Sequence, residues 1–106
     1  MPKGIEKEDW DRIHELACEV VNATLNEDEI LSESRNETLL AALRELKEKY
    51  GKHPSILATI GDFTEEKEER MKIYSRALER AKEMNFEEEI FEITESIQDL
   101  LEESKG

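Results

Sequence analysis

Apolar side chains recur every three or four residues through most of the chain, and this spacing constrains the fold more than any other feature of the sequence. Successive residues of an α-helix are rotated by roughly 100°, so side chains with this spacing share one face of a helix. Between Lys7 and Leu25 that face comprises Trp10, Ile13, Ala17, Val20, Val21 and Thr24, and Leu16 widens it. No run alternates with a period of two residues for long enough to form a strand. The sequence therefore predicts an all-α fold with a first helix over Lys7 to Leu25.

The segment after the first helix is predicted to be a turn followed by a second helix. Ile30–Leu31 is expected to be a short turn that tucks under the bundle, because residues 26–28 interrupt the apolar pattern. Ser34 and Glu37 have the spacing of a capping box, so the second helix is predicted to begin near Ser34. Gly51 is expected to end it in a left-handed conformation. The inward face of this helix is predicted to hold Leu39, Ala42, Leu43, Leu46 and Tyr50.

Three further helices complete the predicted fold. Proline at a first helical position predicts a short helix over Pro54–Ile60. A fourth helix is predicted over Glu65–Met84, capped by Thr64 or Asp62 at its start and by Asn85 at its end, and a fifth over Phe86–Glu103. The inward residues are predicted to be Met71, Tyr74, Leu78 and Ala81, with Ala77 at the edge, and then Phe86, Ile90, Ile93, Ile97, Leu100 and Leu101. We expect one helical domain over residues 1–106, with four long or medium helices and one short helix.

The chain is strongly acidic, which excludes several classes of partner. It carries 28 acidic and 15 basic side chains, a formal net charge of −13. Phosphate backbones and anionic membrane surfaces would repel it, so neither a nucleic acid nor a membrane is expected as a partner. No apolar segment reaches the roughly 18 residues of a membrane span, and the N-terminus lacks the apolar stretch of a signal peptide. Together with a single cysteine, Cys18, these features favour a reducing cytoplasm.

His14 and Cys18 are the side chains in this sequence that come closest to a chemically reactive pair. They lie four residues apart on one helix, a spacing that can hold a metal, and Asp11 lies one turn earlier. Metal sites usually need three or four ligands, and the other histidine, His53, lies just before the predicted third helix. We therefore expect His14 and Cys18 to be partly buried core residues, and we predict no metal and no cofactor. A metal- or cysteine-dependent enzyme acting through this pair is an alternative, but no Gly-rich phosphate loop or other catalytic motif supports it.

The second half of the chain has the residue pattern of a two-helix repeat. Leu57 and Ala58 lie in the first of the two helices, and Tyr74 and Ala77 lie in the second. At these positions the tetratricopeptide repeat has a Leu-Gly pair, an aromatic residue and an alanine, and Phe91 follows Leu57 by one repeat length of about 34 residues. The segment resembles this family. The resemblance implies a short TPR-like array of α-hairpins, acting as an adaptor or as a scaffold that self-associates into a homo-oligomer, as the alternative to a small helical bundle.

The charge is distributed unevenly along the chain. Residues 1–31 hold nine acidic and three basic side chains (−6), and residues 86–106 hold eight and one (−7), whereas residues 32–53 (+1) and 54–85 (−1) are nearly balanced. Two interpretations are open. The terminal helices are either solvated caps or an acidic surface that steers the protein toward a basic partner. In a closed bundle the two acidic helices would adjoin, and in an open array they would lie apart.

One aromatic residue falls outside the inward stripe of the fifth helix. Phe91 lies among the carboxylates Glu87, Glu88, Glu92 and Glu95, and an aromatic residue in a charged surface fits the composition of interface hot spots. A second packing layer under the short helix would explain it equally well. Our leading hypothesis is a non-enzymatic protein that engages, and thereby neutralises, a basic protein through this acidic surface. In size, charge and helical class the chain is similar to immunity proteins, which inhibit toxins.

Overall fold

The computed structural model describes residues 4–105, and within this range it contains five α-helices and no strand. The helices are α1 (Lys7–Leu25), α2 (Glu29–Tyr50), α3 (Pro54–Asp62), α4 (Lys67–Glu83) and α5 (Glu87–Lys105). Four are long or medium and one is short, as predicted, and the all-α class is confirmed. The helices form two compact units, one within residues 1–50 and the other within residues 51–106.

The turn between α1 and α2 determines where the second helix begins. Glu27 adopts a left-handed conformation with φ of 56°, and the amides of Glu27 and Asp28 donate hydrogen bonds to the carbonyls of Thr24 and Ala23, both at 3.0 Å. This is the Schellman geometry that ends a helix. The carboxylate of Asp28 then accepts a hydrogen bond from the Leu31 amide at 3.1 Å, which is the bond of an N-cap residue.

The prediction that α2 begins near Ser34 is therefore wrong. Asp28 caps the helix, so Ile30 and Leu31 lie in its first turn, where both side chains are exposed and neither tucks under other helices. The Ser34 carbonyl instead accepts a hydrogen bond from the Thr38 hydroxyl at 3.1 Å inside the helix. Ser34 and Glu37 do have the spacing of a capping box, but Asp28, directly after the left-handed Glu27, caps the helix earlier in the chain.

The first unit is an α-hairpin whose core is mostly aliphatic. Its buried residues are Ile5, Ile13, Val20, Ala23, Leu39, Ala42, Leu43 and Leu46. The predicted buried face of α1 is partly wrong. Val21 and Thr24 are exposed, and Ala23 is buried instead. At the other end of the hairpin, the carboxylate of Asp9 accepts hydrogen bonds from Lys49 Nζ at 2.8 Å and from the Tyr50 hydroxyl at 2.5 Å. These bonds join the first turns of α1 to the last turn of α2.

The second unit packs α4 against both α3 and α5. Before α3, Gly51 has φ of 77°, as predicted for a left-handed cap, and His53 Nδ1 accepts a hydrogen bond from the Ser55 amide at 3.1 Å. After α4, Asn85 is left-handed with φ of 57°, which confirms its predicted place at that helix end. The core of this unit consists of Leu57, Tyr74, Ala77, Ala81, Ile93 and Leu100. Among the residues of α4 and α5 predicted to face inward, Leu101 is the exception, since half of its surface is exposed (50%).

Tyr74 is the largest fully buried side chain of the second unit, and a glycine makes room for it. A Cβ at Gly61 would lie 2.7 Å and 2.8 Å from two carbons of the Tyr74 ring, so only glycine fits there without displacement of the ring. The Tyr74 hydroxyl donates a hydrogen bond to Asp62 Oδ1 at 2.6 Å and accepts one from Arg70 at 3.1 Å. The prediction that Asp62 or Thr64 caps α4 is wrong, because the N-cap position is Glu66.

Candidate protein-binding face of α5

The outer face of α5 carries the most exposed aromatic side chain among the described residues. Phe91 is 65% exposed, although the residue one repeat length earlier, Leu57, is only 6% exposed. On α5 the buried side chains are Ile93 and Leu100, seven residues apart and therefore on one face. Phe91 precedes Ile93 by two residues, a rotation of roughly 200°, which turns its ring away from the core.

Three of the four carboxylates predicted to accompany Phe91 share this outer face. Glu87 and Glu88 lie four and three residues before Phe91, and Glu95 lies four residues after it, so each is a neighbour on the helix surface. Glu92 is exposed as well, but it follows Phe91 directly and is therefore rotated from it by roughly 100°. The face proposed from the sequence is thus Phe91 with Glu87, Glu88 and Glu95, and Glu92 lies along its border.

Helix stability explains only part of this acidity. Glu87, Glu88 and Glu89 occupy the first turn of α5, where negative charge interacts favourably with the helix dipole. Glu102 and Glu103 lie in the last turn, where the same charge is unfavourable. The helix dipole therefore does not account for the acidic residues beyond the first turn.

Among the side chains that the structure describes, the carboxylates of α5 also have no basic partner at ion-pair distance. The ion pairs among the described side chains join Arg35 to Glu19, Lys49 to Glu6 and Asp9, Lys72 to Glu69, and Arg80 to Glu83. None of these pairs uses a residue of α5. Glu89 links the helix to the rest of its unit, because its carboxylate accepts a hydrogen bond from the Ser55 hydroxyl at 3.2 Å. The outer carboxylates Glu87, Glu88 and Glu95 are exposed to solvent.

The possible reactive pair on α1 lies on the surface and not in the core. His14 and Cys18 are both exposed, so the prediction that they are partly buried core residues is wrong. They lie on the same side of α1 as the exposed Val21, outside the arc that α2 covers. In the part of the chain that the structure describes, no three histidine, cysteine, aspartate or glutamate side chains are grouped so that they could hold a metal ion.

The network of Asp62, Tyr74 and Arg70 was not predicted from the sequence, apart from the inward position of Tyr74. Burial raises the pKa of Asp62, and the hydrogen bond from Tyr74 opposes that rise. Burial, together with the bond to Asp62, raises the pKa of the Tyr74 hydroxyl. The sequence signal for this network is Asp62, which directly follows Gly61 and lies twelve residues before Tyr74 on the next helix. The Tyr74 side chain is only 1% exposed whereas Asp62 is exposed, so the network ties a buried tyrosine to the surface of the second unit.

The chain was compared with protein-family models, with curated proteins and with solved structures. None of them matches it. Among the described residues, no helix combines the length and the apolar character needed to cross a membrane.

Proposed function

We propose that this protein is a non-enzymatic, cytoplasmic binding protein that engages a basic protein through the outer face of α5 and neutralises its charge. The single observation that carries this proposal is an exposed aromatic ring among carboxylates that form no ion pair with any described side chain. Aromatic residues are enriched in the hot spots of protein interfaces, where a large apolar contact is surrounded by polar groups. Complementary charge raises the association rate and selects against partners of the same sign.

The energetics of α5 support the same proposal. Like charges three or four residues apart on a helix destabilise it by roughly 0.2–0.5 kcal/mol per pair, and α5 contains several, such as Glu88 with Glu92 and Glu95 with Asp99. Basic side chains of a partner would relieve this repulsion on binding. Charge repulsion therefore destabilises α5 in the unbound protein, and a basic partner would remove this repulsion.

The test is a capture experiment from a lysate of the source organism at low and at moderate salt, with captured proteins identified by mass. The wild type is compared with a variant that combines Phe91→Ala with Glu88→Gln and Glu95→Gln. The matched control is Glu45→Gln with Glu48→Gln, two exposed carboxylates on α2. We expect wild type and control to retain the same basic protein, with weaker retention at higher salt.

The face variant is expected to lose that protein. Truncating a hot-spot aromatic residue typically costs about 2 kcal/mol, which is roughly thirtyfold in Kd. The proposal would be abandoned if the retained proteins were neutral or acidic, or if the face variant and the α2 control retained the basic protein equally well.

A second candidate function is an adaptor or scaffold that self-associates through the exposed end of a TPR-like helical array. It is favoured by one observation, namely that Phe91 is exposed whereas Leu57, one repeat length earlier, is buried. In a repeat array that difference is expected of a last repeat with no neighbour to cover it. Light scattering distinguishes the two candidate functions. A scaffold should form oligomers that dissociate in the Phe91→Ala variant. The leading proposal instead predicts a monomer, because copies of this acidic chain repel one another.

A further inference from the structure

The outer face of α5 contains a continuous uncharged strip. Phe91, Thr94, Gln98 and Leu101 follow one another at intervals of three, four and three residues, which keeps them on one side of the helix. Phe91 and Leu101 are 65% and 50% exposed, and Gln98 is exposed between them. The strip extends over ten residues, a length of about 15 Å or nearly three helical turns.

The polar member in the middle of the strip is partly satisfied already. The Thr94 hydroxyl donates a hydrogen bond to the Ile90 carbonyl at 2.7 Å, so its donor is used within α5. Covering Thr94 would therefore leave no unpaired donor, and its methyl group is free to make an apolar contact. Gln98 has a flexible side chain whose amide can stay at the edge of a contact. Covering the strip consequently costs little desolvation.

A row of carboxylates runs along one side of this strip. Glu88, Glu95, Asp99 and Glu102 are all exposed and lie roughly 20° to 80° further round the helix than Phe91. The other side of the strip leads to Ile90 and Ile97, which pack into the core. A partner lying on the strip would therefore meet negative charge along one edge and the body of the second unit along the other.

We propose that the segment which docks on this strip is an amphipathic α-helix of the basic partner, with an apolar seam at three- and four-residue spacing and Lys or Arg beside the seam. This inference rests on the proposed function and adds the structure of the bound segment. The spacing of the strip matches the ridges and grooves through which two helices pack. An extended segment, with its period of two, would meet the strip in only one or two places, and residues 4–105 contain no strand to which it could add.

The row of carboxylates beside the strip identifies the occupant further. A second copy of α5 would add its own excess of carboxylates at the same interface, since residues 86–106 hold eight acidic and one basic side chain, and like charges across an interface cost several kcal/mol. Lysine or arginine beside an apolar seam would instead pair with Glu88, Glu95, Asp99 and Glu102. The complementary occupant is thus a basic helix and not another copy of this chain.

Two synthetic peptides of identical composition test the inference on the full-length protein. Each has about 21 residues rich in leucine, lysine and arginine. In the first, the leucines share one helix face, and in the second their order is permuted so that they do not. Binding is measured by calorimetry at low and moderate salt, and helix formation on binding is measured by circular dichroism.

We expect the amphipathic peptide to bind at least about tenfold more tightly than the permuted one and to gain helix on binding. Phe91→Ala combined with Leu101→Ala should remove most of this difference, whereas the α2 control Glu45→Gln with Glu48→Gln should preserve it. Both alanine substitutions are at exposed positions, and thermal melting of the variant verifies that it is folded.

The outcomes separate this inference from the proposed function. If both peptides bind equally and weaken with salt, acidic recognition stands but docking of a helix is overturned. If the amphipathic peptide binds the Phe91/Leu101 variant as well as it binds wild type, the strip is not its site and the inference is also overturned. If neither peptide binds while a basic protein is captured through α5, the bound segment is not a simple amphipathic helix. Failure of the capture experiment, in contrast, contradicts the proposed function itself.

Discussion

Replacing Glu92 by glutamine and Asp99 by asparagine should stabilise the protein, because these two residues concentrate the charge repulsion within α5. Glu92 lies three or four residues from Glu88, Glu89 and Glu95. Asp99 lies three or four residues from Glu95, Glu102 and Glu103. Both side chains are exposed and neither takes part in an ion pair among the described residues. The double substitution therefore removes repulsive neighbours without removing an attractive contact.

The expected gain follows from the number of pairs. Each substitution removes three repulsive pairs of roughly 0.2–0.5 kcal/mol, so the double variant should gain about 1–3 kcal/mol at low ionic strength. For a small domain, 1 kcal/mol corresponds to a rise in Tm of about 4–8 °C. Salt screens exposed charges, so the gain should shrink markedly when the ionic strength is raised to about 1 M, where the Debye length is near 3 Å.

The assay is urea denaturation of both proteins, followed by circular dichroism at low and at high salt. The control is the α2 pair Glu45→Gln and Glu48→Gln, which has the opposite local environment. Glu45 lies four residues before Lys49, and Glu48 lies four residues after Arg44, so neutralisation there removes two attractive pairs but only one repulsive pair, that of Glu45 with Glu48. The control should be slightly less stable than wild type under the conditions in which the α5 variant is more stable.

Two results would refute this reasoning. The first is an α5 variant that is no more stable than the α2 control at low salt. The second is a gain in stability that does not change with salt, because a gain of that kind cannot come from repulsion between exposed charges. Either result would also remove the argument that a basic partner relieves a cost present in free α5.

Two further predictions concern the interior of the second unit and the hairpin of the first unit. Gly61→Ala should lower the free energy of unfolding by about 1–2 kcal/mol, because overlap of the new methyl group with the buried Tyr74 ring costs more than alanine gains in helix propensity. Urea denaturation measures this loss of stability. A variant as stable as wild type would contradict the close approach of Gly61 to the ring. Hydrogen bonds from Lys49 and Tyr50 lower the pKa of Asp9, so this aspartate contributes stability above its ordinary pKa that is lost as the pH falls through the lower, folded-state value. Asp9→Asn should therefore melt below wild type at pH 7 and match it under strongly acidic conditions, and a difference independent of pH would count against this explanation.

Most of the fold could be predicted because the apolar spacing and the helix ends are local properties of the sequence. The left-handed positions at Gly51 and Asn85 were found because glycine and asparagine are the residues that most readily adopt that conformation. The left-handed Glu27 gave no such signal, and the start of α2 was misplaced as a result. Exposure was predicted least well, since the arc of a helix that is buried depends on which helix covers it. His14, on the uncovered side of α1, illustrates this limit.

The candidate site could be predicted to the extent that it depends on one helix alone. Phe91 and its neighbouring carboxylates lie on α5, so the spacing of residues along that helix was sufficient to group them, and only Glu92 lies off the shared face. The uncharged strip became apparent only when Leu101 was found to be exposed, because the sequence pattern had assigned it to the core. Likewise, the contact between Gly61 and Tyr74 joins two helices, and no spacing within one helix predicts it.

The distribution of charge in α5 is the strongest reason to look for function on this helix. A sequence under selection for stability alone would place acidic residues in the first turn and basic residues in the last. In α5 the first turn follows this rule, but Glu102 and Glu103 in the last turn break it. Proteins commonly carry locally destabilising features at functional sites, where stability is given up for binding. If the Glu92/Asp99 variant proves more stable and the Phe91 face variant loses its partner, the same helix will have been found both destabilised and required for binding.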